Sequence, residues 1–342
     1  MYSFGKHPRP AVSWPSGRHE KGVALLTALL IVALATIAAV SFSSRQKLTL
    51  RLTSNVLASD QAYMYAIGGE YWARGQLARD NEKDKKEGHV DALNEEWTKP
   101  LPPTSLEPGA GTISADIHDA MSKFNLNNLY IHKNPAPEKQ EDFAREYAYF
   151  KRLLRLLEID ENIAQPITDW VDEDIDTRFP DGAEDLEYLN LDPPYRTANR
   201  PMSSVTELRL IKGVSGEIYE KLTPYVTVLP ESTPLNVNTA DAILIQALLD
   251  SVDPAIVDAL LEERKKEPFR TKQEFVDRLK ALLGDNSQNL ADIEGLIEVG
   301  SVYYIARTEV HMERLNMQLT SLIYKDPAAV PHMIMRSSRG GL

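Results

Sequence analysis

Residues 23–44 run without a charged side chain, between Glu20-Lys21-Gly22 on one side and Arg45 on the other. A helix rises about 1.5 Å per residue, so these 22 residues span roughly 33 Å, about the thickness of a bilayer's hydrocarbon core. The pattern continues beyond them. No proline follows before Pro100, and apolar residues recur at Leu48, Leu52, Val56, Leu57, Tyr63, Tyr65, Ile67, Tyr71, Trp72 and Leu77. This spacing predicts one helix to about Arg79, apolar all round at first and amphipathic afterwards. The mixed charge run 80–88 then reads as a solvated helix end or loop. The prolines of 100–103 and the Pro-Gly run 108–111 mark a linker that cannot continue a helix.

Alternation at Ile113, Ala115 and Ile117, and again at Phe124 and Leu126, predicts two short strands within 112–130. A helical region follows over 138–225. In it Phe143, Tyr147, Phe150, Leu153, Leu154 and Leu157 form one apolar face, and Ser204 with Glu207 makes a capping box at a helix start. A second helical set predicts caps at Asn238-Thr239 for a helix through Leu249, at Asp253-Pro254 for one through about Lys266, and at Thr271 with Glu274. The two sets read as weak copies, because Phe124-Asn125-Leu126-Asn127 resembles Leu235-Asn236-Val237-Asn238 and each precedes a capping box. The first copy is longer by 44 residues, most of them supplied by an acidic, Pro-rich segment over 169–201. Finally, 302–310 and 316–324 alternate as a hairpin around a polar turn near Glu313.

Among the 19 residues of 169–187, nine are acidic and only Arg178 is basic. Their mutual repulsion opposes a compact loop unless a cation relieves it. Hard oxygen ligands with Gly182 for a tight turn favour calcium. Asp172, Asp174 and Asp176 match the first three ligand positions of an EF-hand, but Thr177 stands where that loop needs Gly and Ala183 where it needs Glu. The expectation is a calcium loop of another type, with Asp169, Asp172, Asp174 and Asp176 as ligands and Glu184 and Asp185 closing the cage. The competing reading is a merely solvated acidic loop, against which Trp170, Val171, Ile175, Phe179 and Leu186 argue for packing.

The net charge of −12 and the absence of cysteine narrow the classes further. Disulfides, thiol catalysis and cysteine-held metals are excluded, and the acidity disfavours nucleic acid and anionic surfaces while suiting cations or basic partners. The seven histidines show no ligand pair on one helix, and no P-loop or GxSxG sequence occurs, so an enzyme is not expected.

By themselves, residues 1–44 fit a signal anchor, a signal peptide cut near Ala38-Ala39, or a leader cut between Gly22 and Val23. A basic leader, Gly22 and then VALLTALLIV resemble the type IV pilin class of prepilin, in which a membrane peptidase cuts after the Gly and the new amino terminus is methylated. Cleavage there removes four basic residues and one acidic one, leaving 34 against 49, or −15. Thr27 occupies the fifth position of the processed chain, where most of that class carry Glu; its absence marks the K-type minor pseudopilin. With Asp181-Gly182-Ala183-Glu184-Asp185, Pro193-Pro194-Tyr195-Arg196 ahead of Ala198-Asn199, SVTELR over 204–209, KLTPYVTVLP over 221–230 and NVNTA over 236–240 in this order, the chain is similar to the general secretion pathway protein K family.

That resemblance implies an α+β, type IV pilin-like fold: a long N-terminal helix packed on a small antiparallel sheet, with a large inserted α-helical domain stabilised by calcium. The expected layout is a leader over 1–22, a transmembrane and stalk helix over 23–80, linker and first strands over 81–131, the insert over 132–298, and closing strands with a tail over 299–342. Implied partners are the I-type and J-type minor pseudopilins, the major pseudopilin, the prepilin peptidase and the inner membrane, with the head in the periplasm. The rival is a membrane-anchored helix-hairpin-helix protein that binds DNA. Against it, the hairpin at 249–254 has no Gly and two acids, and only Lys212-Gly213-Val214-Ser215-Gly216 approaches the phosphate-gripping pattern.

Overall fold

The computed structural model describes residues 20–107, 111–250, 252–284, 290, 293–312 and 315–338. The leader up to residue 19 and the turn residue Glu313 therefore lie outside the described residues. The chain divides into two compact units, 1–58 and 59–342, each described by itself.

In the first unit the described residues belong to helix α1, which spans Glu20–Glu87. This helix is long and apolar enough to cross a membrane, and the large apolar side chains between Val23 and Leu57 are exposed.

In the second unit α1 continues past the expected end at Arg79, with Lys85 and Lys86 in its last turn, where cations suit the helix dipole. Its buried seam is made of small residues. Ala62, Ala66, Ala73 and Leu77 are fully buried while Tyr71 is exposed, and a Cβ added to Gly69 would overlap the Thr308 side chain. Small residues at spacings of three and four bring the helix backbone hard against a sheet. Ala62 and Ala66 pack with Val310 and Leu319; Ala73 and Leu77 pack with Trp97, Ile117, Tyr304 and Ile323.

That sheet comprises β1 (Leu101–Ser105), β2 (Thr112–Asp119), β7 (Tyr303–Met312), β8 (Leu315–Tyr324) and β9 (His332–Ser337), in the order β1-β2-β7-β8-β9 and antiparallel throughout. The predicted hairpin is the β7/β8 pair, in register from Tyr303 opposite Tyr324 to Met312 opposite Leu315. The expected linker at 100–103 is instead the edge strand β1, where a proline that cannot donate is tolerated and a register shift falls between Leu101 and Thr104.

The second predicted strand is not part of this sheet. Phe124–Asn125 (β3) pairs in parallel with Val226–Thr227 (β4), and Leu235–Asn236 (β5) pairs in parallel with Ile297–Glu298 (β6). Between the strands of the first pair lie the helices α2 (Pro137–Leu156), α3 (Ala164–Val171), α4 (Asp185–Leu189) and α5 (Gly216–Leu222), and between those of the second α6 (Ala242–Gln246), α7 (Pro254–Lys266) and α8 (Lys272–Leu283). Their largest core cluster gathers Phe124, Tyr149, Phe150, Trp170, Leu208, Leu244 and Phe275.

The two predicted copies share their hydrogen bonding. Asn127 clamps Met202 through the Met202 N–H and carbonyl and also donates to the Leu229 carbonyl. Asn238 does the same to Phe269 and to the Val299 carbonyl. In both halves the clamped residue stands two before the capping residue, Ser204 or Thr271, and the capping Glu accepts the N–H one place before it: Glu207 from Ser203, Glu274 from Arg270. This use of Asn238 corrects its predicted role as a helix cap. Helix α6 begins later, after Asp241, and ends at Gln246. The Ser204 box, likewise, starts a 3-10 helix, Val205–Leu210, which ends ahead of the positive φ of 84° at Gly213.

Candidate metal centre in the acidic loop

Helix α3 delivers Asp169 and, just beyond its end, Asp172 into the interior; both carboxylates are fully buried. Arg178 comes back over them and donates Nη1 to both, 2.9 Å from Asp169 Oδ1. Asp169 Oδ2 also accepts the backbone N–H groups of Arg178 and Ala183. Gly182 permits this closure, because a Cβ there would overlap Asp169 and the Arg178 backbone. Part of the predicted repulsion is thus relieved internally.

Three oxygens are left over. Asp172 Oδ1, Glu184 Oε1 and Asn199 Oδ1 are buried and accept no hydrogen bond. Leaving a buried acceptor unpaired is costly, and oxygens alone form the donor set that hard cations prefer. Asn199 has φ 45°, a left-handed conformation that Asn tolerates, and its amide donates to the Asp174 carbonyl at 3.2 Å. Glu184 uses its other oxygen to accept from the Thr197 hydroxyl at 3.1 Å. Burial, together with the charges of Asp169, Asp172 and Asp174, pushes Glu184 up to about 7. Burial pushes Asp172 up to about 6 against the pull of Arg178. The cluster holds more negative charge than Arg178 alone offsets.

The remaining expected ligands are placed differently. Asp174 is half-buried and accepts the Asp176 N–H, whereas Asp176 is exposed. Asp185 pairs with Arg196 and accepts from the Thr197 N–H and hydroxyl. Asn199 and Thr197 were not among the sequence candidates; their signal is the Thr-Ala-Asn run that follows the paired prolines. Of the apolar loop residues, Trp170 and Val171 are buried as expected. Ile175, Phe179 and Leu186 are exposed, Phe179 to 92%, so they do not pack the loop.

A second buried carboxylate cluster lies at the end of α1. The charge run expected to be solvated sends Asp80 and Asp84 inward to Lys325, whose Nζ lies 2.7 Å and 2.8 Å from them and 2.5 Å from Asp91. Asp91 further accepts from the Tyr304 hydroxyl, the Ser301 N–H and His89. Asp119 beside it accepts from Asn236, Thr239 and Ser301. Here the ammonium of Lys325 supplies the cation.

Two family models for type II secretion system (T2SS), protein K match residues 122–231 and 235–294, and the border between them falls between the two halves that share hydrogen bonds. The chain is 35% identical over 332 residues to a type II secretion system protein K of Pseudomonas aeruginosa, covering 95% of each. It is 31% identical over 349 residues to one of Aeromonas hydrophila, covering 96% of this chain and 99% of the other. Among solved structures it is similar, at a TM-score of 0.71 and 24% identity, to a chain of the GspK-GspI-GspJ complex from the enterotoxigenic Escherichia coli type 2 secretion system, covering 84% of this chain and 99% of that one.

Proposed function

The chain belongs to the type II secretion system protein K family, and from that premise we propose that it is a minor pseudopilin at the tip of the pseudopilus. The expected fold of long helix, antiparallel sheet and helical insert is present. The observation that carries the reading is α1 itself. Its apolar, exposed first part suits storage in a bilayer and then packing among similar helices, while its small-residue seam fixes a sheet to the other part. In this reading the peptidase cuts between Gly22 and Val23, and Thr27 leaves no carboxylate to engage a subunit above. Its partners are then of the I and J types, the companions of the structural relative in the GspK-GspI-GspJ complex. Joining them lifts the three from the inner membrane and nucleates the fibre. The head stands in the periplasm, and the role is assembly rather than catalysis.

Co-expression of the full chain with I-type and J-type minor pseudopilins tests this: a stable ternary complex is expected, and a mature chain beginning at Val23. Failure of the three to co-purify would remove the tip assignment.

We further propose that the acidic loop holds calcium, with Asp172, Glu184 and Asn199 supplying the unpaired oxygens and Asp174 lying beside them. A ligand bound only by the folded state stabilises it by mass action. Chelation is therefore expected to lower the melting temperature, and calcium to restore it. Both Asp172→Asn and Glu184→Gln should abolish the response, whereas Asp176→Asn should not.

A further inference from the structure

Beside the acidic loop, a cleft of about 340 Å³ opens between the two halves of the insert, lined by Tyr130, Phe143, Glu146, Pro234 and Leu296 among others. Its volume lies within the usual range for ligand sites. Asn128 ties the halves together at its edge, exchanging hydrogen bonds with the Thr233 N–H and carbonyl.

Glu146 lines this cleft and is buried, and among the described residues it has no ion-pair partner. The neighbouring cations are committed elsewhere. Arg145 and Lys139 both pair with Asp142, and His132 pairs with Glu173. Arg145 is further fixed by its packing against Gly295, where an added Cβ would lie 3.4 Å from the guanidinium. The result is a buried carboxyl that the Asn128 amide and the charge of Arg145 offset only in part, beside the aromatic walls of Tyr130 and Phe143. Buried carboxylates persist when paired, and aromatic faces add attraction for an ammonium.

We propose that this cleft receives a lysine side chain presented by a protein partner, its methylenes against Tyr130, Phe143 and Pro234 and its ammonium on Glu146. The chain's net charge of −12 favours such a partner. A free polyamine fits less well, since its second charge would meet Lys139 and Arg145 at the rim. Burial also pushes Glu146 up to about 8, so binding an ammonium requires loss of its proton and should tighten as pH rises. The other titratable groups facing the cleft are Lys139, Asp142 and Arg145 on α2 and Tyr130 and His132 on the loop before it.

Saturation-transfer NMR on the full chain in detergent micelles tests this with a blocked pentapeptide carrying one central lysine. Expected are saturable binding, about tenfold weakening for the norleucine analogue and for Glu146→Gln (about 1.4 kcal/mol), and tightening from pH 7 to 9 in the wild type alone. The norleucine arm uses the unmutated chain and so does not depend on the folding of a variant. Equal binding of the norleucine peptide, undiminished binding by a folded Glu146→Gln chain, no saturable binding, or competition by spermidine as effective as the peptide's would overturn the proposal.

Discussion

Lys325 shows how much one side chain can govern. Its side chain is fully buried and faces three carboxylates, two from the last turns of α1 and one from the segment that follows. Removing one member of a buried charge cluster leaves the others uncompensated, which typically costs about 3–5 kcal/mol. Lys325→Met should lower the stability of the folded head by an amount of that order in chemical denaturation, whereas loss of the exposed Lys99–Glu96 pair should change little. The sequence displayed Asp80 and Asp84 only as members of a mixed charge run. Nothing local marks Lys325 as their partner, because 241 positions separate it from Asp84.

At the scale of elements, Asn127 and Asn238 form equivalent joints in the two halves of the insert. Asn238→Ala would leave the Phe269 N–H and two carbonyls without their partner. Each unpaired buried group costs about 1–3 kcal/mol, so the second half should melt earlier than in the wild type, by hydrogen exchange over α7 and α8. The Asn-x-Asn repeat was legible because it recurs in sequence, each time followed later by a capping box. Helix α7 was legible too, with Asp253 accepting the Ala255 N–H as its cap and Pro254 in the first turn. Tertiary demand was not. The expected cap at Asn238 was drawn into the core, and β1 escaped notice because its prolines signal a turn unless the strand lies at an edge. Strand β9 likewise shows little contrast between faces in His-Met-Ile-Met-Arg-Ser. The α1 seam was largely hidden because, Leu77 apart, its buried apolar positions are alanines and glycine, while the aromatic residues that dominate the periodic pattern are wholly or partly exposed. In the acidic loop the candidate carboxylates announced themselves by density. Asn199 did not, since its contribution depends on a backbone turn.

For the whole molecule, several buried carboxyls lie above their ordinary range. Burial pushes Glu146 to about 8, Asp80 to about 7 despite Lys325, and Asp119 to about 6 despite its hydroxyl donors. The folded chain then binds more protons than the unfolded chain between about pH 5 and 8, so stability rises as pH falls through that window. His89, raised chiefly by its hydrogen bond with Asp91, acts in the same direction. Glu70 opposes it only below the ordinary Glu range, because despite its burial Arg336 and Ser321 hold it low. With chelator present, so that the proposed calcium does not contribute, the melting temperature at pH 5.5 should exceed that at pH 8; the reverse order would show that burial of these groups is relieved in solution.

The close seating of α1 on β7 and β8 also has a mechanical consequence. Contacts from Ala62 to Leu77 lie side by side along the helix, so a force applied at Ser59 along the axis strains them together in shear, and they cannot be peeled apart one at a time. The ammonium that receives the last turns of the helix then serves as an end stop.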